Sequence, residues 1–360
     1  MGCCEATNPD LRGVVAVDRR WPDAGVAWDR RTALKGLLGA AGVIAVSGCA
    51  DPPPDGSTSI RLAFCGQLLC VVPYEVTRAR GHFADQGLAA ELVYTRGGSA
   101  AMQALVGGSV DYAGTSFDVA LQAAANGAAI RRVASTGRLP LFALGVAPEL
   151  ATTITDVSDL AGRTVGVSGL GNADHALLLY LLDRDGVDTG TVDIAAIGTN
   201  LFDALRLGQV DAGMLQEPAL SLVVEAGGRE LVNFMDLAEA ERHVGGAYEF
   251  MGVSIRADER DQRLDEIRRL AAALAAGLQD TRRLPVDEVL ATLPSALVAG
   301  GDLDQLGEII ERYRDSLYPE SVTIDRAAAA RVQRAQKVAG LLAPGGVDLD
   351  SLLDADALSD

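Results

Sequence analysis

The patterned part of the chain opens with a short apolar run, Ile60-Arg61-Leu62-Ala63-Phe64, ending at Cys65-Gly66, which predicts a buried strand meeting a loop. From Tyr74 through Phe83 the apolar positions fall at helical spacing until Gly87 stops them, and Ala90 to Tyr94 reads as a second strand. Strand, helix, strand in that order predicts parallel α/β units. The pattern then returns. Ala104-Leu105, Gly108 and Val110-Asp111 recur one hundred residues later as Ala204-Leu205, Gly208 and Val210-Asp211. Gly97-Gly98-Ser99 precedes one copy and Gly198-Thr199-Asn200 the other. In each, a Val-Asp strand leads to a polar loop, Thr115-Ser116 or Gln216-Glu217-Pro218. Solenoid repeats run roughly 20 to 50 residues, so a period this long predicts two related lobes instead.

Residues 59–145 are expected to form lobe one, completed by the returning segment 250–345, with lobe two at 146–249. The apolar stretch Pro140 to Val146 carries the chain out, Thr164 to Val167 opens lobe two, and Phe250 to Ile255 carries the chain back. Beyond Asp261 the spacing is helical, through Leu270, Ala273, Leu274 and Leu278 and again through Ile309, Ile310, Tyr313 and Leu317, predicting helices packed on lobe one. The acidic end, 346–360, is expected to be a helix-and-coil tail. The fold class is therefore α/β, each lobe a mostly parallel sheet flanked by helices. A chain of 360 residues suits two domains at roughly 150 each.

Ahead of the lobes, Asp29-Arg30-Arg31-Thr32-Ala33-Leu34-Lys35 precedes an apolar run from Gly36 to Val46, then Ser47-Gly48-Cys49. Paired arginines before an apolar stretch are the twin-arginine export pattern, and the run is well short of the ~20 residues of a spanning helix. Residues 1–48 read as a signal peptide and Cys49 as the acylated first residue of a lipoprotein. The proline-rich segment 49–58 is then a stiff tether, and the protein sits lipid-anchored outside the cytoplasmic membrane, in the periplasm.

Charge narrows the partners. The formal net charge is −18 and aromatics are 4% of the chain, so nucleic acid would be repelled and base stacking has little to work with. Three histidines and five cysteines leave few members for a multi-ligand metal site; neither metal nor cofactor is expected, and the chain is expected to be a monomer. Cys65 and Cys70 lie in the first predicted cleft loop. They are candidates for a disulfide, worth about 2 kcal/mol in the chain-entropy model, or for inert thiols. The rival is a nucleophilic thiol activated by a helix start.

In open α/β sheets, ligands sit beyond the carboxyl ends of the strands, where helix N-termini converge. Small polar residues fall there repeatedly: Gln67, Gly98 with Ser99, Thr115 with Ser116, Ser168 with Asn172, Thr199 with Asn200, and Gln216 with Glu217. Free N–H groups at helix starts bind anionic or strongly polar atoms, and glycine admits a ligand to the backbone. Arg96 favours a sulfonate or carboxylate. Glu75, Asp118 and Glu217 would instead accept bonds from an amino-pyrimidine, with Tyr74 and Phe117 stacked on its ring.

Pro73-Tyr74-Glu75-Val76, Ala79-Arg80-Gly81-His82-Phe83-Ala84, Gly87-Leu88, Gly97-Gly98-Ser99, Val110-Asp111-Tyr112, Gly198-Thr199-Asn200 and Gln216-Glu217-Pro218 together resemble the nitrate/sulfonate/taurine substrate-binding family. That family includes relatives that bind thiamine-precursor pyrimidines, and it is similar to fungal pyrimidine-precursor synthases. The resemblance runs from Ser59 to Leu317 and implies a two-lobed, type II periplasmic-binding-protein-like fold. It implies capture of a sulfonate, carboxylate or pyrimidine-like solute by hinge closure, without catalysis, and delivery to the permease of an ABC importer. The alternatives are an enzyme of the same fold using Cys65, Cys70 or His175, and a ligand-sensing lipoprotein. The fungal enzymes' cysteine-rich motif is not recognisable here.

Overall fold

The computed structural model describes residues 56–198, 200–298 and 302–358. The expected signal peptide, Cys49, most of the tether and Thr199 lie outside the described residues. Lobe one begins with β1 (Thr58–Cys65), α1 (Leu68–Ala79), α2 (His82–Asp85), β2 (Leu88–Thr95), α3 (Gly98–Val106), β3 (Tyr112–Ser116), α4 (Phe117–Ala125) and β4 (Ile130–Ser135). Lobe two follows with β5 (Ala143–Val146), β6 (Thr164–Val167), α5 (Ala173–Arg184), β7 (Asp193–Ala196), α6 (Leu201–Arg206), β8 (Ala212–Leu215), α7 (Ala219–Glu225), β9 (Arg229–Asn233) and α8 (Leu237–Val244). The chain returns through β10 (Met251–Arg256) to α9 (Leu264–Arg283), α10 (Val286–Thr292), α11 (Ser295–Val298), α12 (Leu303–Leu317), α13 (Arg326–Val338) and α14 (Leu349–Leu352).

The two sheets share one plan. Strand order is β2-β1-β3-β10-β4 in the first and β7-β6-β8-β5-β9 in the second. In each, the first three strands are parallel, and the fourth, antiparallel to both neighbours, is the one that follows a crossing between lobes. Ile60, Leu62, Ala63 and Phe64 are fully buried; Ser59 and Arg61 at the start of β1 are exposed, and only from Leu62 onward are both faces of the strand covered.

The hundred-residue copies are alike in shape. Gly108 and Gly208 take φ of 75° and 64°, and the next residue closes the helix in each: Ser109 N–H donates to Ala104 O at 2.9 Å and Gln209 N–H to Ala204 O at 2.8 Å. Asp111 Oδ2 accepts from Arg61 N at 2.7 Å, and Asp211 Oδ2 from Thr164 N at 2.9 Å. The Val-Asp pairs therefore lie just before β3 and β8 rather than within them, each aspartate accepting from the backbone of the neighbouring strand, Asp111 within β1 and Asp211 at the start of β6.

The two crossings pair with each other. Tyr248 N–H donates to Arg138 O at 2.9 Å, Phe250 N–H to Gly137 O at 3.0 Å, and Gly137 N–H to Met251 O at 2.9 Å. Helix α9 packs on α1 and α2, while α13 touches both α4 and α5 and so spans the lobes. Helix α12 also reaches lobe two, where Asn233 Nδ2 donates to the Tyr313 hydroxyl at 2.9 Å. The acidic end is docked rather than trailing: Leu349, Leu352 and Leu353 are buried, and Arg260 grips Asp354 through two bonds of 2.6 and 3.0 Å. Among the described residues no helix is long and apolar enough to cross a membrane.

Candidate functional site

A cleft of about 490 Å³ opens between the lobes, within the usual range for small-ligand pockets. Lobe one lines it with Gln67, Arg96, Gly98, Ser99 and Ser116; lobe two lines it with Ser168, Asn172, Asp174, Gly198 and Gln216. Cys65, Cys70 and Met251 line it too, with Phe142 and Phe250 from the two crossings, their rings edge to face at 5.9 Å. The polar turns of both lobes thus surround one shared space.

The sequence delivers these residues through helix starts. Gln67, Gly97, Ser116 and Asn172 are the N-caps of α1, α3, α4 and α5, and none makes a side-chain cap to its own helix. Helices α8, α12, α13 and α14, by contrast, are capped by Asp236, Asp302, Asp325 and Asp348. A helix start without a side-chain cap turns the positive end of its dipole toward the cleft, which favours negative charge there although the chain as a whole is acidic.

Arg96 is exposed at this cleft and makes no ion pair or hydrogen bond among the described residues. Asp174, the acid of the cleft, is already engaged: its carboxylate accepts from Ser168 N at 2.5 Å and Ser168 Oγ at 2.8 Å. Burial pushes the Asp174 carboxyl above its ordinary pKa. Asn172 Nδ2 donates to Ser168 Oγ at 3.0 Å, completing a rigid turn. His175 is off the cleft; its Nδ1 accepts from Gly171 N at 3.0 Å, and burial lowers its pKa, so the ring is neutral at pH 7.

Of the residues expected at the site, Gln67, Gly98, Ser99, Ser116, Ser168, Asn172 and Gln216 line the cleft. Tyr74 does not: it is fully buried in α1, stacked on Phe64 at 4.7 Å, with its hydroxyl 3.1 Å from Thr136 Oγ1. Thr115 is fully buried within β3. Asn200, exposed at the start of α6, is not among the lining residues, and Glu217 turns into its own helix to accept from Ser221 N and Oγ at 3.1 and 3.2 Å. Phe117 is buried, Glu75 pairs with Arg78 at 2.6 Å, and Asp118 is buried against Gln336, so the pyrimidine reading loses the groups that carried it.

Cys65 and Cys70 are free thiols, which corrects the disulfide expectation. Cys70 Sγ is turned toward Met251 Sδ at 3.8 Å and Gln67 Oε1 at 3.9 Å, and the neighbouring Cys65 thiol together with burial holds its pKa well above the ordinary value, so it stays protonated. Sequence reasoning missed Phe142, Phe250, Met251 and Asp174. The first three were legible as crossing segments, yet nothing in an apolar run says which side chain will face a cleft.

Behind the cleft lies a buried polar cluster. Arg132, fully buried, donates to the carbonyls of Gly252, Thr115 (3.0 Å) and Phe250 (3.3 Å), with its guanidinium 5.5 Å from the Phe117 ring centre. Asp118 Oδ1 accepts from Gln336 Nε2 at 2.7 Å and Tyr248 Oη at 3.3 Å, and Glu249 Oε2 from Ser135 Oγ at 3.1 Å. Burial pushes Asp118 up to about 6 and Glu249 up to about 7. A second depression, about 540 Å³, lies where the C-terminal end docks; Arg260 pairs there with Asp354 and Arg326 with Asp350, so its charges serve each other.

Several solved structures share this architecture. A protein from Bordetella bronchiseptica RB50 matches over 84% of this chain and 96% of its own, with 23% identity and a TM-score of 0.72. The periplasmic aliphatic sulphonate binding protein SsuA of Escherichia coli matches over 81% and 91%, with 19% identity and a TM-score of 0.65. The periplasmic nitrate-binding protein NrtA of Synechocystis PCC 6803 matches over 84% and 87%, with 14% identity and a TM-score of 0.63. At such identities the likeness establishes the two-lobed periplasmic binding protein fold. No curated protein sequence matches the chain. The family described as NMT1/THI5 like matches residues 71–288, well over half of the 360, and the chain belongs to that family.

Proposed function

We propose that this protein is the extracytoplasmic solute-binding component of an ABC importer, and that it holds a small organic anion, a sulfonate or carboxylate, between its lobes without turning it over. One observation carries the reading: four uncapped helix starts and the unpaired Arg96 meet at a single cleft whose own carboxylate is already engaged. That arrangement favours a negative head group. Phe142 and Phe250 offer an apolar wall for its carbon part. The sulphonate and nitrate binders of like fold, both for anions, support the choice. Closure about the paired crossings would bring both lobes onto the solute and present them to the permease. Cys49 is proposed as the acylated anchor that keeps the domain at the membrane.

Calorimetry against sulfonates, carboxylates and amino-pyrimidines tests the ligand class. Anions should bind, and Arg96→Ala should weaken them by about tenfold or more, since hydrogen bonds to charged groups contribute about 1.5–3 kcal/mol. Preference for an amino-pyrimidine, or chemical change of a bound ligand, would sink the proposal. The mass of the mature N-terminal peptide tests the anchor: an unmodified Cys49 rules it out.

A further inference from the structure

The cleft carries more sulfur than a solute site requires. Cys70 Sγ lies 3.8 Å from Met251 Sδ, and Cys65 lines the same cleft beside them. The three come from separate places in the fold: Cys65 ends β1, Cys70 sits in the first turn of α1, and Met251 opens β10. All three line the cleft, and both cysteines are free. Two sulfur ligands about 2.3 Å from one ion, at tetrahedral to trigonal angles, stand about 3.8–4.0 Å apart. The Cys70–Met251 spacing already matches that separation.

The donor set also discriminates. Among the described residues no three His, Cys, Asp or Glu side chains converge, so imidazole and carboxylate donors for zinc or a hard cation are lacking. Two thiolates and a thioether are what a soft, closed-shell ion selects. We propose that Cys65, Cys70 and Met251 form a three-sulfur site for a soft monovalent cation of the Cu(I) kind, open to solvent through the cleft. Binding replaces two thiol protons by one monovalent ion, so two protons leave and the site gains one negative charge. Arg132 is placed to balance it: this buried guanidinium donates to the carbonyls of Phe250 and Gly252, on either side of Met251. The site uses neither Arg96 nor the helix-start N–H groups, so it stands or falls separately from the anion proposal.

The test uses the full chain with Cys3→Ser, Cys4→Ser and Cys49→Ser, leaving Cys65 and Cys70 as the remaining cysteines of the five. Reduced protein is titrated anaerobically with Cu(I) against a chromogenic Cu(I) chelator. One ion should be retained per chain with release of two protons. Adding Cys65→Ser or Cys70→Ser should abolish retention, and Met251→Leu, which keeps the volume, should weaken it by about tenfold or more. Failure to compete with the chelator, retention by the variant lacking both cleft thiols, or unchanged affinity in Met251→Leu overturns the site. Should the serine variants fail to fold, alkylation of the parent chain decides: bound Cu(I) must protect both thiols, and unprotected thiols refute the proposal.

Discussion

Gln216 on lobe two donates from Nε2 to Gln67 Oε1 on lobe one at 2.9 Å, across the cleft. Gln216 follows β8 and Gln67 immediately precedes α1, so the bond ties a strand end in one lobe to a helix start in the other. A neutral bond of this kind contributes about 1 kcal/mol, so Gln216→Ala should lower solute affinity about fivefold while leaving the melting temperature nearly unchanged. Small-angle scattering should show a larger share of open molecules; an unchanged scattering profile and affinity would mean the bond plays no part in closure.

Asp118 and Glu249 set a pH dependence. Burial raises their pKa from the ordinary 3.8 and 4.5 to about 6 and about 7. A carboxyl with a raised folded pKa binds more protons when folded. Its stabilising share is therefore complete below about pH 4 and declines as pH rises toward about 7. Asp118→Asn keeps an acceptor for Gln336 and Tyr248 but cannot ionise. Its stability relative to the parent should be near equal at pH 3.5 and greater by about 1–3 kcal/mol at pH 8. Urea unfolding at both pH values measures this, and a difference that does not grow with pH contradicts it.

Arg132 holds three carbonyls and faces Glu249 with no solvent access. Arg132→Leu strands a buried carboxylate and those carbonyls. The cost should be about 3–5 kcal/mol in urea unfolding at pH 8, smaller at pH 5 where Glu249 takes up a proton. An equal loss at both pH values would show that the guanidinium's packing, not its charge, is what matters.

Gly277 brings α9 close to α1. A Cβ there would stand 1.8 Å from Thr77 Oγ1 and 2.8 Å from Thr77 Cβ. Gly277→Ala should therefore destabilise by about 1–3 kcal/mol, and adding Thr77→Ala should recover part of the loss. Thermal melts of the single and double variants check it; full additivity would mean the two side chains do not meet.

The two lobes were legible because their signals are local. Each copy carries a helix, a glycine with positive φ, and an aspartate that pins the neighbouring strand, and Asp111 and Asp211 make the same bond a hundred residues apart. The short apolar runs at Ile60 and Thr164 became β1 and β6, since parallel strands buried on both faces need continuous apolar sequence. Polar turns before helix starts likewise placed Gln67, Gly98, Ser99, Ser116, Ser168, Asn172 and Gln216 at the cleft.

What the sequence left open was direction. Tyr74, Thr115 and Glu217 have the right chemistry and neighbourhood, but Tyr74 sits on the inner stripe of α1, Thr115 on a covered face of β3, and Glu217 folds back on Ser221. The free state of Cys65 and Cys70, and their meeting with Met251 from a strand almost two hundred residues away, depend on how β10 re-enters the first sheet. Periodicity fixes which face of its own element a residue occupies. Whether that face meets core, cleft or solvent is settled only when the second lobe and the returning helices pack against it.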